Sequence, residues 1–243
     1  LLPVYLTQLG FSPLEVGVIA TAALLGSALM TLAIGMVGGR YGRRRLLLAA
    51  ANLMVATGVA FALVHDYALL LVIAFMGTAN PTAGNVSIFV PLEHALLSGQ
   101  VAARERTAAF ARYSFFAQAA GARGALAAAV PDFLHPMGLG QLGAIKAMFV
   151  LYAILGVAIA LAYSRLPAPK AEAAEKPAPP LGPSKGIVYR LAGLFAIDAF
   201  AGGLTVQSLL ALWLFERFEL SLSAASLFFF WAGVLSAFSL PVA

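Results

Sequence analysis

The sequence contains no cysteine and very little charge. Without cysteine, disulfides and thiolate metal sites are excluded. Charged residues make up 10% of the 243 positions, whereas soluble domains carry about 25%. Hydrophobic residues make up 62%, which is more apolar surface than a water-soluble fold can bury. The composition therefore indicates a chain whose solvent is the lipid bilayer.

Long apolar runs repeat along the chain, separated mostly by short connections. Seven of them are long enough to cross the ~30 Å core of a bilayer as helices rising about 1.5 Å per residue, and residues 1–9 look like the end of one more. The runs are apolar on all sides and lack the period-two alternation of barrel strands. We therefore predict an all-α, polytopic membrane bundle of about eight helices, with apolar runs at 14–38, 46–64, 67–92, 106–130, 144–164, 188–213 and 223–243.

One connection differs in composition from the others. Residues 165–187 are rich in Pro, Ala, Lys and Glu, which is typical of an extended linker. We therefore predict a first six-helix bundle at residues 1–164, this linker, and the beginning of a second bundle at residues 188–243. Because both ends of the chain fall in apolar sequence, we also expect the natural protein to be longer.

The basic residues are distributed unevenly along the chain. If residues 1–9 end the first span, most of the 15 basic residues lie in or beside the loops after spans two, four and six. Basic loops stay cytoplasmic, which makes 165–187 a cytoplasmic linker. The basic excess is thus a topological signal, and we expect a lipid bilayer rather than nucleic acid as the partner. These residues are Arg40, Arg43, Arg44, Arg45, Arg104, Arg106, Arg112, Arg165, Lys170, Lys176, Lys185 and Arg190.

A loop rich in glycine and arginine follows the second span and reads GMVGGRYGRRR from Gly35 to Arg45. It resembles the cytoplasmic signature of the major facilitator superfamily: Gly, three residues, Asp, a basic residue, any residue, Gly, any residue and two basic residues. Gly39 stands at the Asp position, so the charge network that this Asp joins in the family is not expected here in that form. The matching positions are Gly35, Arg40, Gly42, Arg44 and Arg45.

The same loop has a physical interpretation that does not depend on the family. Gly35 permits close helix packing, Gly42 permits a tight turn, and the arginines anchor the loop in water and anionic headgroups. On this interpretation alone the loop is a plain positive-inside anchor. The order of the spans and their side of the membrane favour the transporter resemblance.

The resemblance covers the whole chain, because six spans, a long cytoplasmic linker and further spans match the six-plus-six plan of this superfamily. In that plan two six-helix bundles meet at a central cavity and rock around it. The resemblance implies a secondary active transporter that moves a small molecule by alternating access, with protons as a candidate coupling ion. It also implies a multi-pass protein of the inner (plasma) membrane, monomeric at full length. A drug efflux pump is one subtype that it leaves open.

Polar and ionisable residues deep in the membrane are functional candidates, because burying them is expensive. Asp198 lies about ten residues into the seventh span, near the midplane where transporters bind substrates and ions. It is a candidate to carry a proton or to pair with a cationic substrate, and the alternative is a structural bond to a neighbouring helix. Gln207 follows about two and a half turns later and would share the same face.

Two further places in the membrane carry candidate residues. Pro81 and Gly84 weaken the fourth span, and a broken helix is tolerated where it lines a cavity. Asn80 and Asn85 are therefore candidates to bind substrate, or alternatively to hold helices together. Arg123 lies in the outer half of span five, where it could meet an anionic substrate, pair with an acid or extend towards the surface.

A possible gate lies near the cytoplasmic side. Glu93 and His94 are close to the end of span four, and Arg112 begins span five on the same side. Their similar depth suggests ion pairs that form only when the inside is closed, and His94 could relay protons near neutral pH. Simple solvation at the headgroup level is the alternative.

Several other activities find no support in the sequence. No phosphate-binding loop with Lys and Ser or Thr is present, so ATP does not drive transport through this chain, and we expect no cofactor. No catalytic carboxylate pair, metal cluster or nucleophile set indicates an enzyme. The remaining rivals are a non-transporting membrane sensor or scaffold on the same fold, and a channel, against which the six-plus-six pattern argues.

Overall fold

A computed structural model of the chain describes residues 1–37, 41–79, 88–134, 138, 140–166, 185–203 and 206–239. Within these ranges the protein is helical and has no strand, which confirms the predicted all-α membrane bundle. A single 3-10 turn joins α5 to α6. The helices are α1 (Leu2–Gln8), α2 (Pro13–Val37), α3 (Arg43–Leu63), α4 (Tyr67–Met76), α5 (Phe89–Gln100), α6 (Arg106–Ala127), α7 (Val130–Leu134), α8 (Gln141–Ser164), α9 (Lys185–Gly203), α10 (Gln207–Phe218) and α11 (Leu222–Ser239).

Four described helices are long and apolar enough to cross a membrane, and a fifth such stretch contains α9, α10 and two residues outside the description. Two of the seven predicted spans differ from this description. The fourth is divided, because α4 ends at Met76 and α5 begins only at Phe89. The fifth, α6, has 22 residues but includes three arginines, which lower its apolarity. The five are Pro13–Met36, Arg43–Leu63, Gln141–Ser164, Lys185–Phe218 and Leu222–Ser239.

Local sequence explains where two of the helices begin. The Ser12 amide donates to Glu15 Oε2 at 2.8 Å, and the Glu15 amide donates to Ser12 Oγ at 3.4 Å. This reciprocal pair is a capping box. Pro13, which lies between the two residues, occupies the first helical position of α2. The Asp66 carboxylate accepts from the Leu69 amide at 3.0 Å and caps α4 in the same way.

The core forms where α1 is enclosed by α3 and α8. Tyr5 is fully buried, and its hydroxyl donates to the Phe61 carbonyl at 2.9 Å. Its ring meets Phe149 edge-on with centroids 5.0 Å apart, and Phe149 stacks on Phe61 at 5.3 Å. A buried tyrosine with its hydroxyl satisfied contributes a large apolar area without an unpaired polar group. Tyr5 therefore ties α1 to the rest of the bundle.

Glycines mark the closest helix crossings. A Cβ at Gly26 on α2 would lie 1.7 Å from the carbonyl oxygen of Phe75 on α4. A Cβ at Gly58 on α3 would lie 2.7 Å from the carbonyl oxygen of Phe149 on α8. Small residues let helix backbones approach closely, which strengthens van der Waals contact in a lipid environment. These crossings position α2 against α4 and α3 against α8.

We predict that Gly26→Ala destabilises the full-length protein by about 1–3 kcal/mol, because a methyl group there meets backbone that cannot rotate away. The control is Gly17→Ala on the same helix, where an added Cβ has no neighbour within 4 Å. Thermal unfolding in detergent measures both variants. Equal unfolding midpoints for Gly26→Ala and Gly17→Ala would show that α2 and α4 do not cross so closely.

Candidate functional site

A long antiparallel seam joins α6, which belongs to the predicted first bundle, to α11, which belongs to the predicted second bundle. The Phe115 and Phe238 rings meet edge-on with centroids 6.3 Å apart. Farther along, Gln118 Nε2 donates to Ser236 Oγ at 3.3 Å. The two predicted halves are therefore in direct contact, although the predicted boundaries at 164 and 188 flank a linker that lies largely outside the described residues.

The far end of this seam is closed by a charged side chain. Asp132 of α7 accepts two hydrogen bonds through Oδ2, from the Ser223 amide at 2.8 Å and from Ser223 Oγ at 2.7 Å. Ser223 lies in the first turn of α11, where unpaired amides favour a negative charge. The Asp132–Ser223 contact therefore connects the two halves with a charge-assisted bond.

A cavity of about 820 Å³ lies beside the seam, between α1, α5 and α6 on one side and α10 and α11 on the other. Its α6 wall consists mostly of alanine and glycine, and its α11 wall carries two phenylalanines, Phe228 and Phe229. Among the described residues, no charged side chain lines it. A mainly apolar pocket with a few polar groups is the usual form of a small-molecule site. The polar side chains on its wall belong to Tyr113, Gln118, Gln207, Ser208 and Ser236.

One of these polar groups has no partner in the described part of the chain. Ser208 Oγ is shielded from solvent and forms no hydrogen bond there. A buried hydroxyl without a partner costs free energy. The cavity wall therefore carries hydrogen-bonding capacity that the described helices leave unused.

A carboxylate lies just behind the cavity wall, held by two tyrosines. The Tyr113 hydroxyl donates to Glu93 Oε2, and the Tyr163 hydroxyl donates to Glu93 Oε1. The three residues come from α5, α6 and α8 and are all partly buried. We call them the Glu93 cluster. Because Tyr113 also lines the cavity, the cluster is in contact with it.

His94 and Arg112, which the sequence grouped with Glu93 as a gate, have different surroundings. The His94 ring meets Phe110 and Tyr113 edge-on, with both centroid distances 5.0 Å. Arg112 is exposed and makes no hydrogen bond or ion pair with a described residue. The structure thus brings Glu93 and His94 to Tyr113 but does not bring Arg112 to them.

Two arginines of the signature loop brace the first bundle. Arg43 Nη1 donates to the Ala95 carbonyl on α5 at 3.2 Å. Arg44 Nη2 donates to the Ser164 carbonyl at the end of α8, where a cation is favoured by the helix dipole. Arg45 is exposed. The expectation that these arginines serve as anchors in water and headgroups is therefore incomplete, because two of them bind carbonyls of neighbouring helices.

The glycines of the same loop differ from expectation. A Cβ at Gly35 would have no neighbour within 4 Å among the described residues, so none of these packs closely on it. Gly42 precedes α3 with a φ of −56°, which other residues also adopt, so its turn does not require glycine. Arg40 lies outside the described residues.

The predicted membrane sites are dispersed. Gln207 begins α10 and lines the cavity. Asp198 lies on α9, whose side chains from 185 to 202 are all exposed, and it does not reach the cavity. A break after α9 also places Gln207 on a separate helix, so the two do not share a face. Arg123 is exposed and is not part of the cavity lining, although its neighbours are. Asn80 and Asn85 lie outside the described residues.

Sequence reasoning missed several residues of the site. Gln118 and Ser236 are polar residues within apolar helices, and this signal was available in the sequence. No comparable signal in the sequence marks Tyr113 and Tyr163, because tyrosines near helix ends are usually interfacial residues. Their common partner, Glu93, becomes visible only when α5, α6 and α8 are packed together.

The fold and the cavity define a polytopic helical membrane protein with a pocket between its helices. The sequence matches the Major Facilitator Superfamily over residues 1–243. The chain therefore belongs to the major facilitator superfamily, whose members are membrane transporters rather than enzymes and bind small molecules within the membrane.

The chain is also similar to a curated protein of Saccharomyces cerevisiae, described as "Uncharacterized membrane protein YJR124C". The two are 25% identical over 155 residues, which cover 63% of this chain and 35% of the yeast protein. The chain thus spans about a third of the length of this relative. No solved structure matches the chain.

Proposed function

We propose that the full-length protein is a secondary active transporter of the inner (plasma) membrane, and that its substrate passes through the cavity between α6, α10 and α11. The observation that carries this proposal is the position of the cavity, which has walls from both halves of the chain. A site at the junction of two bundles becomes open to alternate sides when the bundles rock. The substrate is a small molecule, and the bilayer is the medium in which the protein works.

The cavity wall suggests how transport can be blocked. Gly121 lines the cavity and an added Cβ there has open space. We predict that Gly121→Trp fills part of the cavity and reduces uptake by tenfold or more, while the protein remains folded. The measurement is uptake of a panel of radiolabelled metabolites and fluorescent drugs into proteoliposomes that contain the full-length protein.

The matched control for this experiment is Ala120→Trp. Ala120 is the preceding residue of α6, is exposed, and does not line the cavity. The Ala120→Trp variant should keep uptake within about twofold of the wild type. Equal uptake by the two tryptophan variants would remove the cavity from the transport path, and wild-type protein that moves no compound would contradict transport itself.

Alternating access requires the Asp132–Ser223 contact to open in part of the cycle. We predict that Asp132→Cys together with Ser223→Cys, joined by a short bifunctional thiol reagent, abolishes uptake because the two halves can no longer separate at this end. The 243 residues contain no cysteine, and any cysteine elsewhere in the full-length protein would be replaced by serine. Uptake into proteoliposomes is measured before and after treatment.

Each single cysteine variant, treated with the same reagent, serves as the control and should retain uptake. Cleavage of a reducible crosslink should restore transport in the double variant. Full uptake with the crosslink in place, verified by mass spectrometry, would show that α7 and α11 do not move apart during transport.

We also propose Asp198 as the proton-binding residue of a proton-coupled cycle, because its position in the seventh apolar run places it deep in the membrane. We predict that Asp198→Asn abolishes substrate-dependent proton flux in proteoliposomes under an imposed pH gradient, measured by a lumenal pH dye. Glu216→Gln, at an exposed carboxylate on α10, is the control and should keep the flux. Equal flux in the wild type and in Asp198→Asn would remove Asp198 from coupling.

A further inference from the structure

We propose that Glu93, held by Tyr113 and Tyr163, is the residue that selects substrates by charge, and that it favours an organic cation. The ligand would carry a protonated amine, a quaternary ammonium or a phosphonium group on an apolar body. This proposal deepens the proposed function and rests on it, because it takes the cavity as the substrate site.

The first step of the argument is that Glu93 has no counter-charge among the described residues. Its two carboxylate oxygens accept from tyrosine hydroxyls, which are neutral. Within the described residues no basic side chain forms an ion pair with it. A partly buried carboxylate without a cation is costly, and a positively charged ligand would relieve that cost.

The second step is the aromatic character of the surroundings. Tyr163 stacks on Phe89 with centroids 6.3 Å apart, and Tyr113 meets His94 edge-on on the other side of the carboxylate. The negative faces of aromatic rings attract cations, and quaternary ammonium ligands are commonly held by such rings. A carboxylate among tyrosine and phenylalanine rings is therefore suited to a large, weakly hydrated cation.

The third step is the connection to the cavity. Tyr113 lines the cavity with its ring and donates its hydroxyl to Glu93. Val90, one turn before Glu93 on α5, also lines it. The remaining polar groups on the wall, such as Gln118 and Gln207, are uncharged, and Phe228 and Phe229 form an apolar surface opposite. Glu93 is therefore the acidic side chain in direct contact with the lining, and its field reaches a cation in the cavity through Tyr113.

The test is a binding measurement on purified full-length protein in detergent. The probes are tetraphenylphosphonium, which is a permanent cation, and triphenylphosphine oxide, a neutral molecule with a similar aromatic body. We expect the wild type to bind the cation about tenfold or more tightly than the neutral probe. In Glu93→Gln the preference should disappear, while Glu93→Asp, which keeps the charge, should retain it. Equilibrium dialysis gives both affinities.

The control variant is Glu105→Gln, because Glu105 is an exposed carboxylate in the turn between α5 and α6 and lies beside Arg104. It should leave both affinities within about twofold. A wild-type protein without preference for the cation overturns the proposal, and so does a Glu93→Gln protein that keeps the full preference. Should Glu93→Gln fail to fold, equal binding of the two probes by the wild type still overturns the proposal.

Binding and transport are measured separately, so the two proposals can fail separately. A wild-type protein that prefers the cation through Glu93 but shows no uptake contradicts the transport proposal and supports this site. Uptake that is blocked by Gly121→Trp but has no charge preference supports transport and overturns the role of Glu93.

Discussion

Close contact between helix backbones at small residues is the constraint on which the rest of this structure depends. In a bilayer, apolar side chains gain little by leaving lipid for one another, so helices associate through van der Waals packing at short range. The crossings at Gly26 and Gly58 supply that contact for α2 with α4 and for α3 with α8. The paired helices then enclose α1, whose Tyr5 is buried against Phe61 and Phe149. Without the glycines the backbones would stand apart and this core would not close.

The same preference for small residues has a different result on α6. There the alanines and glycines both pack against α11, as at Ala122 against Gly233, and border an open cavity. Polar groups near the cavity are mostly neutral, and the charges of Asp132 and Glu93 lie at its margins, each with donors of its own. The seam between α6 and α11 thus combines weak van der Waals contacts with a few directional hydrogen bonds.

Many elements of the fold were predictable because hydrophobicity alone decides them. Apolar runs marked the long helices α2, α3, α8 and α11 closely, since a chain in lipid must satisfy its backbone within each helix. Continuity was harder to predict. Residues 67–76 are strongly apolar and form α4, whereas residues 77–87 carry glycine, asparagine and proline, and α4 ends at Met76 before them. The seventh run contains two helices, α9 and α10. Hydropathy measures the solvent that a segment prefers and not the contacts that end a helix.

The sequence by itself determined the solvent of this protein and the approximate number and order of its apolar helices, because composition acts locally. Only the tertiary structure decided which polar residues meet. Glu93 was paired with Arg112 in sequence reasoning, but it is held by Tyr113 and Tyr163, and Asp132 is joined to Ser223 across the chain. Those partners lie 20, 70 and 91 positions apart. Their contacts depend on how helices pack in three dimensions, and no local pattern in the sequence records that packing.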